Sequence, residues 1–127
     1  MSLAKVLIVD DSAALQQIYK VILSRYKCQA ISALGGQEGL NALADNPDMA
    51  LLIVDLDMPT MSGLEFIRKV KEQEAYSTIP IIVVSTKGKE ADVDEALAIA
   101  QGHVIKPFTS NEFHMVIEEL FPQTVSA

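Results

Sequence analysis

Cysteine is almost missing from this sequence: Cys28 stands alone, which rules out an internal disulfide. With only His103 and His114 to join it, a Cys/His zinc cluster is excluded as well. Long apolar runs are missing too. The longest, Met49 to Val54, has six residues, against the roughly 20 that a membrane-spanning helix needs. Positive charge is scarce, since 10 basic against 17 acidic side chains leave a net charge of −7. That balance argues against gripping nucleic acid or an anionic membrane. Val6–Val9 runs straight into Asp10 and Asp11, so no signal peptide is expected. Internal repeats, low-complexity tracts and linkers are absent. Together these gaps predict a cytoplasmic protein with no membrane insertion and no direct nucleic-acid contact.

What is present fits one globular domain. The chain has 127 residues, half of them apolar, and domains most often run to roughly 100–150 residues. A single domain over 1–127 is expected, with its core in 5–121 and a short tail over 122–127. Four apolar runs stand out: Val6–Val9, Leu51–Val54, Ile81–Val84 and the weaker Val104-Ile105. Short, non-alternating runs rich in Val and Ile read as strands buried on both faces. Gln29–Ala33 is a fifth, half-buried candidate, expected at a sheet edge. Between the runs lie segments of helical period. Leu15, Ile18, Ile22 and Leu23 share one face; so do Leu64, Ile67 and Val70; Val93, Ala96, Leu97 and Ala100; and Phe113, Val116, Ile117 and Leu120. Gln37–Asn46, with Leu40, Leu43 and Ala44, completes the set. Ser62–Glu65 and Thr109–Glu112 both fit the capping box, and Pro47, Pro80 and Pro122 punctuate element boundaries. Five βα units in series predict an α/β fold, a parallel sheet with helices on both faces joined by right-handed crossovers.

Polar residues end these strands in a pattern. Asp10 and Asp11 follow the first, Asp55 the third, Ser85 the fourth and Lys106 the fifth. In open α/β sheets, ligands bind beyond the carboxyl ends of the strands, where strand order reverses. The common order 2-1-3-4-5 places that reversal between strands 1 and 3, so Asp10, Asp11 and Asp55 converge. Taken singly, each residue has an ordinary use: a helix cap for Asp10 or Asp11 and for Ser85, the start of a turn before Pro59 for Asp55, a solvated loop position for Lys106. Taken together, three carboxylates repel one another unless something cationic joins them, and Lys106 brings one charge. An all-oxygen set suits a hard divalent cation, and a partly hydrated Mg²⁺ best. A carboxylate, a lysine, a hydroxyl and Mg²⁺ are equipped for attack on phosphorus, with the charge on the phosphoryl oxygens offset.

At these residues the chain resembles the receiver domain of bacterial two-component response regulators, close in size to the stand-alone chemotaxis (CheY-like) type. The match runs through Val6-Leu7-Ile8-Val9-Asp10-Asp11-Ser12, Asp55 to Gly63, Val83-Val84-Ser85 and Lys106-Pro107-Phe108, each in the family's order. The resemblance implies a flavodoxin-like (βα)5 three-layer sandwich. It implies that Asp55 accepts a phosphoryl group from a phosphohistidine on a sensor histidine kinase or phosphotransfer protein. Asp11 and Asp55 would bind Mg²⁺ directly, Asp10 directly or through water, and the Asp57 backbone carbonyl would complete the protein ligands. Ser85 would bond a phosphoryl oxygen, Lys106 would pair first with Asp55 and then with the phosphoryl group, and Lys106–Pro107 would be cis. Gly63 matches the glycine before the third helix. The face made by helix 4, strand 5 and helix 5 would switch and bind a downstream target protein.

Three positions depart from the pattern. His103 stands where Tyr or Phe is usual, so it either fills that slot as a neutral imidazole or acts with Ser85 as a tuned switch. Thr86 follows Ser85 where Ala is frequent. Ile99-Ala100-Gln101-Gly102 replaces the Gly-Ala step before strand 5. Cys28 reads as a small hydrophobe near an edge strand, and His114 as a surface residue. Two other functions compete. Asp55-Leu56-Asp57 is similar to the nucleophile motif of haloacid-dehalogenase-type phosphatases, but that family has its metal-binding acidic pair after the lysine and Thr or Val at the position of Pro59. The chain also reads as a receiver from a larger regulator or hybrid kinase.

Overall fold

Branched side chains are stiff about χ1 and fit the pleated surface of a sheet, and each apolar run forms a strand. In the computed structural model, which describes residues 3–86 and 90–122, five βα units follow one another. They are β1 Lys5–Val9, α1 Ala13–Leu23, β2 Gln29–Ala33, α2 Gly36–Asp45, β3 Leu51–Asp55, α3 Gly63–Glu72, β4 Ile81–Thr86, α4 Glu90–Ile99, β5 Gly102–Lys106 and α5 Ser110–Leu120. One turn of 3₁₀ helix, Glu74–Tyr76, precedes β4. The sheet is parallel throughout, in the order β2-β1-β3-β4-β5. Residues 123–127 of the expected tail lie outside the described residues.

Two cores sandwich the sheet. On one face Leu7, Val9, Leu52, Val54, Ile81 and Val83 meet Leu43 of α2, Phe66 and Ile67 of α3 and Ala96 of α4. On the other, Val6, Ile8, Leu51, Ile53, Ile82 and Val84 meet Tyr19 and Ile22 of α1 and Phe113 and Ile117 of α5. Alternate residues of one strand therefore feed opposite cores, which is why β1, β3 and β4 read as continuous apolar runs. β5 departs from that expectation: Val104 is buried, but Ile105 is 42% exposed. An edge strand has a neighbour on one side only, and α4 leaves the outer face of β5 uncovered.

Several helix faces sit one position away from the expected ones. In α1 the buried set is Gln16, Tyr19, Ile22 and Leu23, while Ile18 is 46% exposed. The Gln16 amide fixes that rotation, donating to the carbonyls of Ile8, Asp10 and Ala33 at 3.0–3.1 Å. In α2 Ala42 packs inward and Ala44 faces out. In α4 Ile99 packs inward and Leu97 is exposed. His114 is also corrected, being buried rather than on the surface. Its Nδ1 lies 2.8 Å from the Tyr26 hydroxyl, which donates to Glu118 Oε2 at 2.8 Å; a paired polar group tolerates burial. Cys28 is half-buried against the α1/α5 core, as a small hydrophobe would be. The capping box closes fully at α5, between Thr109 and Glu112. At α3 Ser62 makes the hydroxyl half, accepting from Glu65 N at 3.2 Å.

Candidate functional site

The parallel sheet delivers its strand ends to one edge of the molecule. β1 stops at Val9 and hands over Asp10 and Asp11; β3 ends on Asp55, paired with Val84 of β4; β5 ends on Lys106, paired with Thr86. Carboxylate oxygens of Asp10, Asp11 and Asp55 all lie within 4.8 Å of one another. Asp10 and Asp55 are buried, and Asp11 is exposed. Lys106 Nζ donates to Asp55 Oδ1 at 2.9 Å, and the same oxygen accepts from the Asp57 backbone N–H at 3.0 Å. The Lys106–Pro107 peptide is cis.

The loop after β3 is held hard against the strand. A Cβ on Gly63 would stand 2.2 Å from the Asp55 carbonyl oxygen and 2.7 Å from Leu56 Cα. Only a residue without a side chain lets α3 begin there. Gly63 thus sets where Asp55 and Asp57 sit.

Each oxygen of Asp10 already accepts a hydrogen bond, Oδ1 from Ser12 N at 2.8 Å and Oδ2 from the Tyr19 hydroxyl at 3.1 Å. Burial raises the Asp10 pKa from its ordinary value and the charge of Asp55 adds to it, against the opposing pull of Ser12, Tyr19 and Lys106. Burial and the Asp10 charge in turn push the Tyr19 phenol well above its ordinary value. Tyr19 escaped the sequence reading because its reach depends on the rotation of α1. It also stacks on Phe108, with centroids 5.9 Å apart, so the acidic cluster is tied to the loop after Lys106. A cluster holding two buried carboxylates beside one lysine carries surplus negative charge. Its carboxylate-only donors fit a hard divalent cation.

On the β4 side the Ser85 hydroxyl lies 2.8 Å from His103 Nε2. Burial lowers the His103 pKa. Thr86 is exposed at the mouth, where its backbone N–H and its hydroxyl both donate to Asp57 Oδ2 at 3.0 and 3.1 Å. An open groove of about 490 Å³ starts at Thr86 and Lys106 and runs past Pro107 and Phe108 to Leu15 and Ile18 of α1. The strand ends thus bring Asp10, Asp11, Asp55 and Lys106 together. Ser85 is turned toward His103.

The chain is similar to known proteins in sequence and fold. A chemotaxis protein CheY homolog of Campylobacter jejuni is 37% identical over 118 residues, 91% of each chain. Chemotaxis protein CheY1 of Helicobacter pylori is 39% identical over 107 residues, 83% of this chain and 86% of that one. Among solved structures, a CheY-like response regulator receiver domain protein from Methanospirillum hungatei superposes with a TM-score of 0.82 at 27% identity, covering 97% of both chains. The sequence model of the response regulator receiver domain matches residues 6–118, nearly everything between the start of β1 and the end of α5. With that match over nearly the whole chain, and the parallel strand order already described, the chain belongs to the response regulator receiver domain family.

Proposed function

We propose that Asp55 accepts a phosphoryl group from a phosphohistidine, carried by a sensor histidine kinase or a phosphotransfer protein. The observation that carries this reading is the setting of Asp55: 2% exposed, at a strand end, bonded to Lys106 Nζ at 2.9 Å and clustered with two further carboxylates. An Asp55 oxygen attacks phosphorus, the P–N bond to the donor histidine breaks, and the electron pair stays with the departing imidazole. Lys106 moves from the carboxylate to a phosphoryl oxygen, and the Ser85 hydroxyl donates to another. Asp11, Asp55 and the Asp57 carbonyl would hold Mg²⁺, with Asp10 acting through water because both of its oxygens already accept bonds. Bound there, Mg²⁺ supplies positive charge to the phosphoryl oxygens.

Receivers of this family are signalling proteins rather than classical enzymes, and they work with histidine kinases and downstream targets. A dehalogenase-type phosphatase is not favoured, since the relatives found are receivers. For this chain we place the donor over the groove beside α1, where Ile18 and Val21 are exposed at 46% and 71%. We place the downstream protein on the α4-β5-α5 face, where Leu97 and Ile105 are exposed at 41% and 42%. Residues 5–121 act as one receiver unit. A cytoplasmic setting fits these partners; among the described residues no helix is long and apolar enough to cross a membrane.

Asp55→Asn is the direct test. The amide keeps the volume of the carboxylate but is a far poorer nucleophile. Incubation with acetyl phosphate and Mg²⁺ is expected to label the parent protein and leave the variant unlabelled, with an unchanged circular dichroism spectrum. Equal labelling of both would refute Asp55 as the acceptor.

A further inference from the structure

Ser85 and His103 project from the same face of the sheet, because Val83 pairs with His103 and Ser85 with Ile105. Their side chains are diagonal neighbours, joined by the 2.8 Å contact between Oγ and Nε2. Ser85 is 1% exposed, and among the described residues its hydroxyl has no other partner. A serine hydroxyl carries one hydrogen and two lone pairs. Either Nε2 accepts that hydrogen, or an Nε2–H donates to Oγ. The second arrangement strands the hydroxyl hydrogen in a place closed to water. An idle lone pair is easier to bear than a stranded donor. Burial also lowers the imidazole pKa, which favours the neutral ring with a lone pair on one nitrogen.

We propose that in the unphosphorylated protein His103 Nε2 holds the hydroxyl hydrogen of Ser85, and that this bond must break before Ser85 can donate to a phosphoryl oxygen on Asp55. The inference rests on Asp55 being the phosphoacceptor. One hydrogen cannot serve two acceptors, so the imidazole and the phosphoryl group compete for it. His103 is thereby a positioning residue that acts through Ser85 and biases the protein against its phosphorylated arrangement. When Ser85 turns away, Nε2 loses its donor and the ring is released on β5, the strand that presents Ile105 to solvent. A phenylalanine in the same place has no ring nitrogen and cannot compete.

Two measurements on the full chain test this. The first needs no variant: long-range ¹H–¹⁵N correlation of the histidine rings at neutral pH reports which nitrogen carries the proton. His103 is expected to show a bare Nε2 and a protonated Nδ1. Its signals should shift when beryllofluoride, a phosphoryl mimic, is added with Mg²⁺. A protonated Nε2 in the free protein overturns the proposal. The second is a double-mutant cycle read by beryllofluoride affinity. His103→Phe is expected to tighten binding about fivefold, the weight of one ordinary hydrogen bond, and to change nothing in a Ser85→Ala background. No tightening when Ser85 is present, or equal tightening without it, overturns the proposal. If Asp55→Asn binds beryllofluoride as well as the parent does, the phosphoacceptor reading is what fails. The ring measurement on the free protein still decides where the hydrogen sits.

Discussion

Thr86 occupies the mouth of the site, and a threonine there brings a stiff, branched side chain. The structure adds a tether, since its hydroxyl and its backbone N–H both donate to Asp57 Oδ2. Together Thr86 and Asp57 bridge β4 to the loop after β3, over the approach that water would take to a phosphoryl group on Asp55. Hydrolysis needs that water in line with the bond being broken. Thr86→Ala removes the branched arm and one of the two bonds, while the N–H bond to Asp57 stays. Loosening such a gate lowers the barrier by ~1 kcal/mol, or roughly five- to tenfold in rate. The variant is therefore expected to lose phosphate about that much faster once the donor is removed, with Mg²⁺ held constant. Labelling by acetyl phosphate should be nearly unchanged. An equal or slower decay would show that Thr86 does not gate water.

At the scale of elements, the loop from β3 into α3 leaves no room for a side chain at Gly63. Gly63 sits at the start of α3, and the atoms a Cβ would meet are backbone, which cannot swing aside. Gly63→Ala must push α3 away from the end of β3, against the burial of Leu64, Phe66 and Ile67. Overpacking of this kind costs up to about 3 kcal/mol. A matching fall in the urea midpoint is expected, together with slower labelling of Asp55. An alanine variant as stable as the parent would mean that the loop moves freely. The sequence carried Gly63 and the strand ends plainly, because each is a local motif or a run of one residue class, while the strand order was taken from the common arrangement of such sheets. It was silent on features that depend on helix rotation or on partners far along the chain. Gln16 turned α1 so that Ile18 faces out and Tyr19 reaches Asp10. His114 is buried because Tyr26, 88 positions earlier, supplies its hydrogen bond. The Thr86–Asp57 bridge joins the end of β4 to the loop after β3, which periodicity cannot place together.

For the whole molecule, the acidic cluster makes stability depend on what neutralises it. Burial raises the Asp10 pKa in the folded chain. A raised carboxyl pKa contributes stability that is full below the unfolded value and is lost as pH rises through the folded one. At neutral pH the metal-free protein therefore carries the cost of ionised, crowded carboxylates, with Lys106 offsetting part of it. Mg²⁺ held by this arrangement would bind the folded state alone and would shift the equilibrium toward folding by mass action. At ten times its dissociation constant the gain is about 1.4 kcal/mol, which in a domain of this size raises Tm by roughly 5 °C. Asp11 is the exposed member of the cluster, so Asp11→Ala removes a ligand without opening a hole in either core. That variant is expected to melt at or slightly above the metal-free parent and to gain nothing from millimolar Mg²⁺. The parent should gain at neutral pH, and progressively less as the pH falls into the range where Asp10 protonates. Melting curves with and without Mg²⁺ across that range decide the matter. A Tm indifferent to Mg²⁺ at neutral pH would mean that the three carboxylates hold no metal, and that Lys106 alone must offset their charge.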